Sequence, residues 1–278
     1  MRRSEWVLSI YFVYTGVMAW ILRVDRRIAW ITVILNLTIL AGYALVVYAQ
    51  GLRRSELLGI IRDWFPFPLA LLAYREMGWF AAPHQSFRLE NLFIVWDRML
   101  LRDWGLSHAV ESLAPVLPAL LEVAYMLTYA LAPFAVAMLY VYRERKRVDS
   151  FLFPFLLGIL LCYAQFPFWP SEPPRTVFPG QDFPAVNTIF RQFNGWMLGG
   201  YGIHTSVFPS AHVAGAFGAA FGMVRTLPEQ PWVGRLLLVI AALIATATVY
   251  GRYHYAADAV AGFGMCAAAI GLDKLVRR

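Results

Sequence analysis

Residues 208–258 read FPSAHVAGAFGAAFGMVRTLPEQPWVGRLLLVIAALIATATVYGRYHYAAD, and this stretch decides the fold. It holds one apolar run opened by His212, a second run over 231–250, and the start of a third opened by His254. Runs of about 20 apolar residues at about 1.5 Å rise cross roughly 30 Å of hydrocarbon, so each is expected to be a membrane span. A helix starting near His254 puts His254 and Asp258 at i and i+4, on one face. Two histidines at one depth, with a carboxylate one turn beyond the second, mark a catalytic site.

Outward from this stretch, the 278 residues are 60% hydrophobic and only 15% charged, against roughly 25% in soluble domains. That composition excludes a soluble globular class and predicts an all-α, polytopic transmembrane helix bundle. The net charge of +7 suggests nucleic-acid binding only if the basic residues are dispersed on a soluble surface. Here they cluster at the ends of apolar runs, where they orient helices, so no nucleic acid is expected. Cys162 and Cys266 both lie inside apolar runs and read as small core residues rather than a disulfide.

The most basic run, Arg143-Glu-Arg-Lys-Arg147, is assigned to the cytoplasmic side by the positive-inside rule. Span 151–169 then runs outward, loop 170–207 is extracytoplasmic, and spans 208–226, 231–250 and 255–273 follow. Arg225 and Arg235 fall inside, as do Lys274, Arg277 and Arg278. Arg175, His212 and His254 all fall on the outer side. Upstream, runs at 5–22, 28–49, 64–82 and 113–142 bring the total to about eight spans. Seven is the alternative: eight leaves Arg23, Arg26 and Arg27 outside, while seven exposes Arg53, Arg54 and Arg62 there. The stretch after Met1-Arg-Arg has no small-x-small cleavage site and is expected to be retained as the first span.

Three details bear on the site. Arg75 and Glu76 interrupt the run 64–82 and are expected to pair with each other or to reach a polar interior. From His84 to Glu111 charged and large apolar residues alternate, as in a helix lying in the interface. Residues 1–110 thus read as N-terminal membrane helices with an interfacial helix, and 111–278 as the catalytic membrane domain. In the outer loop, Asp182 is placed to cap a helix whose apolar face carries Val186, Ile189, Phe190, Phe193 and Met197, with Asn187, Arg191 and Asn194 opposite.

The candidate chemistry follows from residue types. Asp258 is placed to keep one ring nitrogen of His254 protonated, which leaves the other as a nucleophile. Ser210 and His212 sit at a helix start, where free backbone N–H groups and the positive dipole end favour a phosphate. Arg175 offers a planar fork for phosphate oxygens. His84, His108 and His204 have no partner at useful spacing and read as structural.

These residues resemble the type 2 phosphatidic acid phosphatase superfamily. Pro209-Ser210-Ala211-His212 is similar to its second motif, Pro-Ser-Gly-His. His254 to Asp258, followed by Ala259-Val-Ala-Gly262, is similar to its third. Thr248 stands where the third motif has arginine, leaving Arg252 as the nearby substitute, and Pro173-Pro174-Arg175 resembles the first motif of the inositol phosphorylceramide synthase branch. The resemblance implies that His254 attacks phosphorus, Asp258 orients it, and His212 protonates the leaving oxygen. Arg175, Ser210 and Arg252 are then the phosphate-binding residues. No metal or other cofactor is implied, since arginine and helix-end N–H groups neutralise the developing charge.

The expected function is therefore an integral membrane lipid phosphotransferase working through a phosphohistidine, with a membrane lipid substrate and an alcohol or water acceptor. A phosphatase acting on phosphatidate or a prenyl pyrophosphate is the alternative. A transporter is the rival from another class, against which stand the lack of an inverted repeat and the scarcity of mid-span charge. The small residues Gly215, Ala216, Ala219 and Gly222 on one span, and Ala259, Ala261 and Gly262 on another, are expected to let these two helices approach closely. Neither donor, acceptor nor oligomeric state is read from the sequence.

Overall fold

The computed structural model describes residues 1–22, 24–53, 55–80, 87–203, 205 and 207–276. His84, His204, Arg23, Arg54, Arg277 and Arg278, which enter the sequence reading, lie outside the described residues.

Every described apolar run becomes a helix, because a segment without water as partner must satisfy its backbone internally. The helices are α1 (Arg3–Ile21), α2 (Arg26–Arg53), α3 (Glu56–Trp64), α4 (Pro66–Phe80), α5 (Arg88–Arg98), α6 (Leu106–Glu111) and α7 (Val116–Val141). They continue with α8 (Val148–Gln165), α9 (Pro174–Val177), α10 (Ile189–Tyr201), α11 (Ala211–Thr226), α12 (Pro231–Tyr250) and α13 (Ala256–Val276). Among the described residues, six helical segments are long and apolar enough to cross a membrane: α2, Glu56–Phe80 (α3 with α4), α7, Arg145–Gln165 (ending in α8), α12 and α13. The chain is thus an all-α polytopic bundle. Of the expected span 64–82, the described residues 64–80 make up most of the segment Glu56–Phe80.

The two further expected spans differ for physical reasons. Helix α11 is only 16 residues long. Helix α1 carries Ser4, Glu5 and Thr15 buried along its length, which dilutes its apolar character.

The centre of the bundle is α8, where Phe151, Leu152, Leu156 and Cys162 are fully buried. Both cysteines are free and buried, as expected of core residues. The glycines of α11 meet α8 rather than α13. A Cβ on Gly222 would lie 2.8 Å from the Phe151 ring, and one on Gly215 3.2 Å from Ile159. The expected approach to α13 is closest at Gly262, whose Cβ would lie 2.2 Å from the Ser210 carbonyl oxygen, and continues where the Phe263 ring packs edge-on against Phe217 at 4.9 Å. At Gly262 no side chain fits without moving the start of α11.

Ion pairs tie one end of the bundle together. Asp63 receives Arg2 at 2.5 Å and Arg145 at 2.7 Å, Arg62 pairs with Glu5, and Asp273 receives both Arg3 and Arg225. Arg147 pairs with Glu229 at 2.8 Å and donates to the Thr226 carbonyl, so α11 ends here. Sixteen helical residues put its start, with His212, about 24 Å away at the other end. Arg75 and Glu76 do not pair with each other. Arg75 donates to the Tyr201 carbonyl at 2.7 Å, while Glu76 is buried and accepts from the Thr15 hydroxyl at 3.1 Å.

Helices α5 and α6 occupy the stretch read as interfacial, and Leu92, Val95, Trp96 and Trp104 are exposed there. Their inner side reaches the site: Phe93 and Ile94 pack with Tyr255 and Ala257, and the Glu90 carboxylate accepts from the Glu172 N–H. The outer-loop helix starts later than expected. Thr188, not Asp182, caps α10 by accepting from the Arg191 N–H, while Asp182 pairs with Arg102. Ile189, Phe193 and Trp196 of α10 are exposed, and Asn194 on the opposite side is buried. Its polar side faces the protein and its apolar side faces out, the arrangement of a helix seated in a membrane interface.

Candidate active site

The site is built where α11 and α13 begin. Ser210 is the cap of α11, its hydroxyl accepting from the Val213 N–H at 3.4 Å and its own N–H donating to the Asp258 carbonyl at 3.0 Å. The two helix starts are thereby tied directly. In the last turn of α12 the Thr248 carbonyl accepts from both the Tyr253 and His254 N–H groups at 2.9 Å. Asp258 reaches back from the first turn of α13 to accept from the Tyr255 N–H at 2.9 Å, one half of a capping box. This cap positions the Asp258 carboxylate beside His254.

The His254 Nδ1 lies 3.1 Å from the Val207 carbonyl oxygen and 3.3 Å from Asp258 Oδ2. Two acceptors at one nitrogen assign the proton to Nδ1, so Nε2 carries the lone pair. That Nε2 faces Nδ1 of His212 at 3.3 Å. Burial, reinforced by the nearby Arg175 cation and opposed by the Val207 carbonyl, pushes His254 down to about 3. At neutral pH it is an uncharged imidazole whose lone pair is on Nε2.

Tyrosines hold His212 in place. The Tyr125 ring stacks on His212 at 5.2 Å and on Tyr253 at 4.1 Å. The Tyr253 hydroxyl donates to Glu122 Oε2 at 2.5 Å, and Glu122 also accepts from Arg191 and Asn194 of α10. This network couples the outer helix to the histidines, and the sequence reading missed it. Its signal was an ionisable residue, Glu122, inside an otherwise apolar run.

Arg175 donates to the Tyr253 carbonyl at 3.3 Å and lies over the Tyr253 ring at 6.0 Å. Among the described residues it has no carboxylate partner, and burial pushes its guanidinium below its ordinary value. It lines a cavity of about 140 Å³ together with His212 and His254. The rest of that cavity runs between α4, α7, α8 and α11 over Tyr74, Tyr129, Phe155 and other apolar side chains. Arrangement and lining suit a phosphate at the mouth and a hydrocarbon chain beyond it.

Of the six site residues read from the sequence, the fold brings His212, His254 and Arg175 to the cavity and sets Asp258 behind His254. Ser210 lies beneath as a cap, outside the cavity lining. Arg252 does not reach the cavity. Its guanidinium is fully buried against Asp97 of α5, whose other oxygen accepts from the Ala256 N–H at 2.8 Å. Thr248, in the third-motif arginine position, is buried with its hydroxyl donating to the Ala245 carbonyl. Among the described residues no three His, Cys, Asp or Glu side chains come together as a metal-ligand set.

A family model described as the PAP2 superfamily matches residues 91–272, well over half of the chain and inclusive of all six site residues read from the sequence. No curated protein and no solved structure matches.

Proposed function

The chain belongs to the PAP2 superfamily, an integral membrane phosphatase or phosphotransferase by that membership, and from this premise we propose that it transfers a phosphate-containing head group from a phosphodiester lipid to an alcohol. The observation that carries the reading is the contact between His254 Nε2 and His212 with Asp258 behind it and one unpaired cation, Arg175, beside it.

The proposed sequence has two steps. His254 Nε2 forms a bond to phosphorus as the P–O bond to the lipid breaks, and His212 gives its proton to the departing oxygen. An acceptor hydroxyl then attacks the phosphohistidine, returning its proton to His212 as the N–P bond breaks. The rings touch at 3.3 Å, so a phosphorus bonded to one and a leaving oxygen held by the other require them to separate.

Charge supports a diester. A monoester carries about −1.5 to −2 at pH 7 and a diester −1. With Thr248 uncharged and Arg252 held by Asp97, Arg175 stands as the cation at the cavity. An inositol phosphorylceramide synthase-like activity is the finer form of this proposal.

The test is a panel of labelled phosphodiester and phosphomonoester lipids, each with and without long-chain alcohols, in the presence of a chelator. A new alcohol-dependent phospholipid from a diester is expected. Release of phosphate from phosphatidate, with no transfer from any diester, would promote the phosphatase reading instead.

We also propose that the site faces the extracytoplasmic side, from the basic run 143–147 at the opposite end. Lys146→Cys and Asn187→Cys, each in a background lacking Cys162 and Cys266, are expected to react with an impermeant thiol reagent from opposite sides. Reaction of both from one side would overturn the orientation.

A further inference from the structure

The two histidines are held by different means. His254 has two acceptors at Nδ1, whereas His212 Nε2 has no hydrogen-bond partner among the described residues. Beyond its contact with His254, ring packing sets the His212 imidazole: Tyr125 lies within 19° of parallel to it, and Tyr129 meets it edge-on at 6.0 Å. Both tyrosines come from α7, at i+3 and i+7 from Glu122, so the three side chains share one helical face.

Glu122 is buried and lies outside the lining of the catalytic cavity. Its carboxylate accepts from Arg191 at 3.0 Å on Oε1, and on Oε2 from Asn194 at 2.7 Å and the Tyr253 hydroxyl at 2.5 Å. It touches no reacting atom, so any effect on the chemistry passes through a neighbour. Arg191 and Asn194 suffice to dock α10. The Tyr253 bond leads elsewhere, because Tyr253 stacks on Tyr125 and Tyr125 on His212. Burial, reinforced by Glu122, pushes the Tyr253 hydroxyl well above its ordinary value, so it remains a donor.

Resting on the role given to His212 above, we propose that Glu122 is a positioning residue for the general acid. It anchors the Tyr253 hydroxyl, and through the Tyr253 and Tyr125 rings it sets the plane of the His212 imidazole. Proton transfer depends on that plane, and a misplacement of about 1 Å at a reacting group costs about 10²-fold. Arg175 also rests on Tyr253, but on its backbone carbonyl, in a turn tied to Thr248 by the Tyr253 N–H. Loss of the hydroxyl therefore frees the ring and leaves that carbonyl in place.

The experiment uses Tyr253→Phe, Glu122→Gln and the double variant, each with His212 intact and again with His212→Ala. Single-turnover release of the leaving group is measured from a diester lipid and from an aryl phosphodiester with an activated leaving group. Tyr253→Phe removes one oxygen and leaves Glu122 its partners on α10; Glu122→Asp, which keeps the charge, replaces Glu122→Gln if the latter does not fold. Each single change is expected to slow the lipid reaction about tenfold or more and the aryl reaction less than about twofold. The double variant is expected to be no slower than the slower single one, and neither change to slow His212→Ala further. Equal losses on both substrates, additive losses in the double variant, further slowing of His212→Ala, or wild-type lipid rates in Tyr253→Phe would overturn the positioning role alone. A His212→Ala protein slowed equally on both substrates would overturn the general-acid role and this inference with it.

Discussion

His254→Ala is expected to abolish turnover of every lipid and to leave no covalent phospho-enzyme, whereas His212→Ala is expected to slow turnover by about 10²–10⁴-fold and to be partly rescued by an activated leaving group. The difference follows from the geometry. His254 presents its lone pair from Nε2, with Nδ1 held by Val207 and Asp258, and no other described nucleophile shares that position. In the proposed sequence of steps His212 contributes a proton, which a good leaving group does not need. An activated aryl phosphodiester, measured on both variants, separates the roles. Equal rescue of the two would contradict the assignment.

Arg252→Ala is expected to unfold the protein rather than to alter its substrate choice. Asp97 and Arg252 are both fully buried, and removing one partner leaves the other charge stranded, at a cost of about 3–5 kcal/mol. Asp97 also accepts from the Ala256 N–H at the head of α13, so the pair fixes the turn that carries His254 between α5 and α13. Asp97→Ala is expected to cost a similar amount, and the double change Asp97→Leu with Arg252→Met to recover much of the loss. Thermal unfolding in detergent reads this directly. An Arg252→Ala protein that unfolds like wild type while losing only monoester turnover would return Arg252 to the phosphate.

Why the sequence led elsewhere at Arg252 is instructive. Two residues from His254 along the chain, it was a natural candidate for the missing third-motif cation. Its backbone, however, adopts a φ of 63°, which turns the side chain toward α5, and the partner that holds it lies 155 positions upstream. No local pattern encodes such a partner. The histidine–aspartate pair was legible for the opposite reason, since a spacing of four is fixed by the helix itself.

His212 stands between these cases. A single imidazole at a span boundary has no meaning alone, and its role emerges only when the two helix starts are known to share one end. The charge clusters supplied that knowledge, and the ion pairs at Asp63 and Asp273 agree with it. Small residues were less informative. Gly215 and Gly222 announce a close neighbour without naming it, and the neighbour is α8. The start of α10 was misplaced because Asp182 and Thr188 are both competent caps, and Arg102, distant in sequence, removes the first from contention.

Rapid quenching of the His212→Ala enzyme with a diester lipid labelled at phosphorus, followed by peptide mapping under alkaline conditions that preserve phosphohistidine, tests the central claim most directly. The account predicts acid-labile label on the peptide that contains His254, discharged when a long-chain alcohol is added. Label on any other residue, or turnover that persists in His254→Ala, would contradict it.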